Sequence, residues 1–150
     1  MHQHILLATD GSTHALVAAK YAGNLARAFS SHLSILTVLD PSAIVETVWG
    51  SVLPPVSKPE QELSSGVYES RLLDSVIPPT ISALGDVDGE PVVAHTWGHP
   101  ARDICHYAKQ HNADHIIMGS HGRGPISAAL LGSVSHGVVN RAECSVTIVR

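Results

Sequence analysis

The sequence predicts one doubly wound α/β domain over residues 1–150, a Rossmann-like five-stranded parallel sheet with helices on both faces. Three observations carry that prediction. Short apolar runs alternate with segments of helical period along the whole chain. Hydrophobic residues make up 44% of the sequence but aromatic ones only 4%, so the core must come from Ala, Val, Ile and Leu, a palette suited to parallel strands covered on both faces. At 150 residues the chain has the length of one domain and can bury roughly 68–70% of its extended surface.

Taken in order, Ile5 to Thr9 is a short apolar strand closed by the turn residues Asp10-Gly11-Ser12. From Thr13 to Phe29, Ala15, Leu16, Ala19, Ala22, Leu25, Ala26 and Phe29 recur at spacings of three and four, which predicts an amphipathic helix. Leu33 to Leu39 is a second strand, stopped by Asp40-Pro41, and it completes a βαβ unit with a right-handed crossover. Residues 41–59 combine four prolines with Ile44, Val48, Trp49, Val52 and Leu53, a long irregular stretch of the kind that serves as a lid or an interface. A helix is expected from about Glu60, with Leu63, Val67, Leu72, Val76 and Ile77 inward, broken or kinked by Pro78-Pro79 before a last turn near Ile81 and Leu84. Pro91 to Trp97 is the third strand. Pro100 then opens a helix that carries Ile104, Cys105, Ala108 and His111 inward. His115 to Met118, a helix from Gly132-Ser133 through about Ala142, and Val146 to Val149 complete the pattern.

Composition excludes several functions. The net charge of −4 and a charged fraction of 15% argue against a nucleic-acid partner, which needs a surplus of Lys and Arg. No apolar run is long enough for a membrane span, and the first residues lack a basic leader, so a cytoplasmic protein is expected. Cys105 and Cys144 read as free thiols rather than a disulfide framework. The eleven histidines form no metal-ligand motif, and no metal site is expected. The phosphate-loop signature G-x-x-x-x-G-K-(S/T) is absent, as are the acidic cluster and C-terminal lysine of a phosphoacceptor domain.

Chemistry in an open parallel sheet sits beyond the carboxyl ends of the strands. Two turns occupy such ends. Asp10-Gly11-Ser12 offers a carboxylate and a helix cap. Gly119 to Ser133 places Gly119, Gly122 and Gly124 in one loop and Gly132-Ser133 at a helix start, where N–H groups and the positive end of the helix dipole favour an anion. His121 and Arg123 lie inside that loop.

Gly119-x2-Gly122-x9-Gly132-Ser133 matches the G-x2-G-x9-G-(S/T) motif, and with Ile5 to Ser12 and Leu130 to Ser135 the whole chain resembles the ATP-binding branch of the universal stress protein family. The resemblance implies a site for ATP, AMP or ADP, with Mg²⁺ on the phosphates. Ala8, Thr9 and Asp10 would stand at the ribose or adenine, the Val38 main chain beside adenine, and Met118 and Gly119 along the pocket. Gly122, Gly132, Ser133 and Val134 would meet the phosphates, and the place of His121 and Arg123 in the glycine loop adds them as further candidates for phosphate contact. It also implies a homodimer paired through Val146–Val149 and a regulatory role in the stress response. Ala8, Pro125 and Ser145 depart from residues frequent in the family. No general base is positioned and no catalytic residue is assigned, so slow or no ATP turnover is expected. Two other readings compete. One is a dimeric family member that binds no nucleotide. The other is a small hydrolase using Ser120, His121 and Asp10, opposed by the missing G-x-S-x-G elbow and by the opposite directions of neighbouring side chains on an extended backbone.

Overall fold

A computed structural model describes residues 3–41, 58–122 and 131–150. Five parallel strands form one sheet: β1 (His4–Ala8), β2 (His32–Leu39), β3 (Val92–Trp97), β4 (His115–Gly119) and β5 (Ser145–Val149), in the order β3-β2-β1-β4-β5. The register runs Ile5 to Leu33, Ile5 to His115, Ser34 to Val92 and His115 to Ser145. The described helices are α1 (Thr13–Phe29), α2 (Lys58–Leu84), α3 (Pro100–Gln110) and α4 (Ser133–Arg141). This is the expected doubly wound architecture.

Alternation along the central strand divides the core. Ile5 and Leu7 pack with Ala18, Ala19 and Ala22 of α1 and Leu84 of α2 on one face. Leu6 and Ala8 pack with Ala101, Ile104 and Ala108 of α3 and Val138 of α4 on the other. The chain winds outward through β1, β2 and β3, then returns to β4 beside β1, so a constant crossover hand places the later helices on the opposite face. Between β1 and β4 the winding reverses, and the crevice for a ligand opens there.

Four expectations change. α2 runs unbroken through Pro78 and Pro79. The carbonyls that lose a donor to these prolines belong to Asp74 and Ser75, whose residues are exposed to water, while Val76, Thr80 and Leu84 bury a stripe of i, i+4 spacing that keeps the helix continuous rather than broken. Val67, read as inward, is 51% exposed, because nine residues of helix place it on the side opposite Val76. His111, also read as inward, is exposed beyond the end of α3 and stacks on Tyr107 at 4.0 Å between ring centroids. Phe29, counted with the inward set of α1, is exposed as well.

Candidate functional site

The turn after β1 is built by short local bonds. Asp10 Oδ1 accepts from the Ser12 N–H at 2.9 Å, Gly11 takes a φ of 74° that favours glycine, and the Gly11 N–H donates to Thr9 Oγ1 at 3.2 Å. Ser12 Oγ then caps α1 by accepting from the Ala15 N–H at 3.3 Å. The N-terminus of α1 is therefore served by its own side chain.

After β4 the chain is arranged differently. The Ser120 carbonyl accepts from both the Gly132 N–H and Ser135 Oγ, each at 2.8 Å, and so ties the two ends of the glycine segment together. α4 begins at Gly132 with no side-chain cap. Among the described residues, no side chain caps its first N–H groups at the positive end of its dipole. A β-carbon on Gly132 would lie 3.1 Å from the Ser120 carbonyl oxygen.

These turns border one cleft of about 780 Å³ above the carboxyl ends of the strands. Ala8, Thr9 and Asp10 reach it from β1 and its turn, Val38 from β2, Met118 and Gly119 from β4, His121 and Gly122 from the following loop, and Gly132, Ser133 and Val134 from the start of α4. The fold thus brings together every candidate for the nucleotide site except Arg123, which lies outside the described residues with Gly124, Pro125 and Trp49 of the expected lid. A second groove of about 560 Å³, lined by His4, His32 and His111 among others, sits at the opposite, amino ends of the strands. The ligand rule for open parallel sheets favours the first.

Within the cleft two of the glycines serve the protein itself. A β-carbon at Gly119 would lie 2.8 Å from the His14 backbone, and one at Gly122 would lie 2.7 Å from Asp10 Oδ2. Gly119 lets the sheet end approach the first turn of α1, and Gly122 lets the loop approach the Asp10 carboxylate. The His14 ring stands 5.5 Å from that of His121.

Ser120 and His121 do meet: Nδ1 lies 3.1 Å from Ser120 Oγ, contrary to the expectation that their side chains diverge. The loop after β4 is no longer extended, so neighbouring side chains turn toward each other. Ser120 is nevertheless 1% exposed and does not line the cleft, so its hydroxyl cannot reach a substrate there.

Sequence reasoning missed the far end of the cleft. Thr37 and Leu39 of β2, Asp40 just after it, Leu72 and Val76 of α2, and Trp97 of β3 line it as well. Thr37 is 2% exposed, and its hydroxyl oxygen has no hydrogen-bond partner among the described residues. Trp97 Nε1 donates to Glu69 Oε2 at 3.0 Å, and His95 Nε2 donates to Glu69 Oε1 at 2.8 Å. The indole N–H first, and the imidazole second, hold the Glu69 carboxyl below the usual glutamate range. Only the distance between strand ends and the face of α2 reveal this group, neither of which is a sequence signal.

Among the described residues, no group of three His, Cys, Asp or Glu is placed to hold a metal ion, and no helix is long and apolar enough to cross a membrane. Burial pushes the thiols of Cys105 and Cys144 up, and both cysteines are free.

Fold and cleft define the class: a doubly wound parallel α/β protein whose crevice lies at the topological switch point, closed at one end by an uncapped helix start. The family model described as the universal stress protein family matches residues 1–150. The universal stress protein YxiE of Bacillus subtilis is 33% identical over 153 residues, covering 100% of both chains. The chain belongs to the universal stress protein family. Among solved structures, MJ0577 of Methanocaldococcus jannaschii is similar at a TM-score of 0.77 and 27% identity, covering 99% of this chain and 96% of that one. A universal stress protein solved in complex with cAMP has a TM-score of 0.63 at 24% identity, covering 99% and 97%, a likeness of fold.

Proposed function

We propose that the cleft binds an adenine nucleotide, ATP or its shorter relatives AMP and ADP, and that the protein is a nucleotide-responsive regulator in the stress response rather than a fast ATPase. One observation carries the reading: the uncapped start of α4 and the apolar end at Leu39, Leu72 and Trp97 share one cleft with Asp10 between them. Such a cleft matches a molecule with an anionic head, a hydroxylated middle and a flat apolar-faced base.

Each residue has a role in this reading. The N–H groups of Ser133 and Val134 donate to phosphate oxygens, with Gly132 leaving room for them. Asp10 accepts from ribose hydroxyls, the Val38 main chain borders the base, and Met118 lines the pocket. The described lining holds Asp10 and Asp40 but no Lys or Arg, so Mg²⁺ on the phosphates would supply charge that the described side chains lack. His121, and Arg123 in the glycine loop, are further donors. No described group is placed as a base to activate water at the phosphates, and turnover is slow or absent.

Residues 1–150 act as one domain in the cytoplasm, and two copies pair through β5, whose outer edge carries no strand among the described residues. A family member that dimerises without nucleotide is the alternative.

Calorimetry on protein stripped of nucleotide tests the reading, with AMP, ATP with and without Mg²⁺, and cAMP titrated in turn. Binding of AMP or ATP at micromolar to millimolar concentration is expected. Failure of both at millimolar concentration, together with no adenine nucleotide released from freshly purified protein on denaturation, would leave the nucleotide-free alternative.

A further inference from the structure

We propose that Trp97 is the aromatic wall against which the base of the ligand lies, and that Glu69 is the residue that holds the indole in place. The inference rests on the nucleotide reading of the cleft and names a part of it that the glycine motif does not contain.

Geometry carries the argument. Trp97 ends β3 and pairs with Leu39, and the Gly98 N–H donates to the Leu39 carbonyl at 3.0 Å, so the backbone that bears the indole is fixed to the sheet. In the order β3-β2-β1-β4, three strand spacings of about 4.8 Å separate Trp97 from the end of β4, roughly 14 Å across the cleft. The anion end at α4 and the indole therefore occupy opposite ends of one cavity, at a separation suited to a nucleoside phosphate. Trp97 is the only Phe, Tyr or Trp among the described lining residues.

The indole is also held. Its N–H is taken by Glu69, whose other oxygen accepts from His95. His95 and Trp97 lie two apart on β3 and so share a face of the sheet, the one covered by α2. Glu69, Leu72 and Val76 follow at spacings of three and four on α2, and the last two line the cleft beside the indole. A ring whose polar edge is already satisfied offers the ligand only its apolar face, which recognises a flat base by stacking and demands no hydrogen bond from it. Phosphate and base are thereby read by different ends of the cleft.

The test separates base from phosphate. AMP and ribose 5-phosphate are titrated into wild type, Trp97→Ala, Glu69→Leu and Glu69→Gln. Trp97→Ala should weaken AMP by about tenfold and leave ribose 5-phosphate unchanged. Glu69→Leu should weaken AMP by about threefold, again without effect on ribose 5-phosphate, and Glu69→Gln, which keeps an acceptor for the indole, should restore it. Unchanged AMP binding in Trp97→Ala, or equal losses for both ligands, would overturn the proposal. If Trp97→Ala does not fold, the intact indole answers. In a Trp49→Phe background AMP should change Trp97 emission and ribose 5-phosphate should not, and the absence of an AMP-specific change would overturn it. A wild type that binds neither AMP nor ATP would bring down the nucleotide reading itself, and this inference with it.

Discussion

Two glycines of one segment have different duties. Gly119 is a packing residue: a β-carbon there would press on the backbone of the first turn of α1, 2.8 Å from His14 and 2.9 Å from Ala15, and backbone cannot rotate away. Gly119→Ala should cost about 1–3 kcal/mol and lower the melting temperature by roughly 2–10 °C, measured by thermal denaturation without ligand. Gly132 differs. Its φ of −61° and ψ of 158° suit any residue, and its nearest neighbour at 3.1 Å asks for a shift of a few tenths of an ångström. Gly132→Val should stay folded but lose AMP and ATP binding by calorimetry, because the side chain crowds the phosphate position at the helix start. A Gly132→Val protein with wild-type affinity would place phosphate elsewhere.

At the scale of elements, α1 and α2 meet through a missing side chain. A β-carbon on Gly23 would overlap the Leu84 carbonyl oxygen, so the two helices lie closer than any other residue allows. Gly23→Ala should therefore force them apart and cost about 3 kcal/mol, read as a fall in the urea midpoint. α2 is fastened to β3 at its other side by Glu69. Because the folded carboxyl titrates below its ordinary range, its contribution to stability is present above that range and is lost as pH falls through it, below about pH 4. Glu69→Gln should flatten this acid limb by lowering stability at neutral pH toward the value that the two proteins share at pH 3, a comparison made by denaturant titration from pH 3 to pH 7. An unaltered acid limb would mean that the carboxylate contributes nothing to the attachment of α2.

For the molecule as a whole, the reversal of winding between β1 and β4 decides where the cleft lies, and the two outer strands decide what the surface offers. β3 and β5 each have one outward edge. Val146, Thr147, Ile148 and Val149 of β5 are only half-buried, and we propose this edge as the one that pairs with a second copy. Light scattering at tens of micromolar should give a dimer mass for the wild type. Ile148→Asp or Val149→Asp, whichever faces the partner, should give a monomer. A monomeric wild type, or a dimer that survives both substitutions, would remove β5 from the interface.

The strands, most helix boundaries and the division into two faces were legible in the sequence because each follows from local rules: apolar period, Ser12 as a cap, Pro100 at a first helical position, glycine at turns. The glycine spacing and the turn after β1 likewise named the residues that gather at one end of the cleft, because strand ends in a parallel sheet share one side whatever the packing detail. Tertiary structure decided the rest. α2 passes through Pro78-Pro79 because a buried stripe outweighs two lost backbone bonds, Gly119 is spent on α1, and Ser120 turns toward His121 in a loop whose ends close on one carbonyl. Trp97, Glu69 and Leu72 join the cleft from a strand and a helix far apart in the chain. Their meeting depends on strand order and on the face of α2 that packs, quantities set by the burial of the whole core and written in no local pattern.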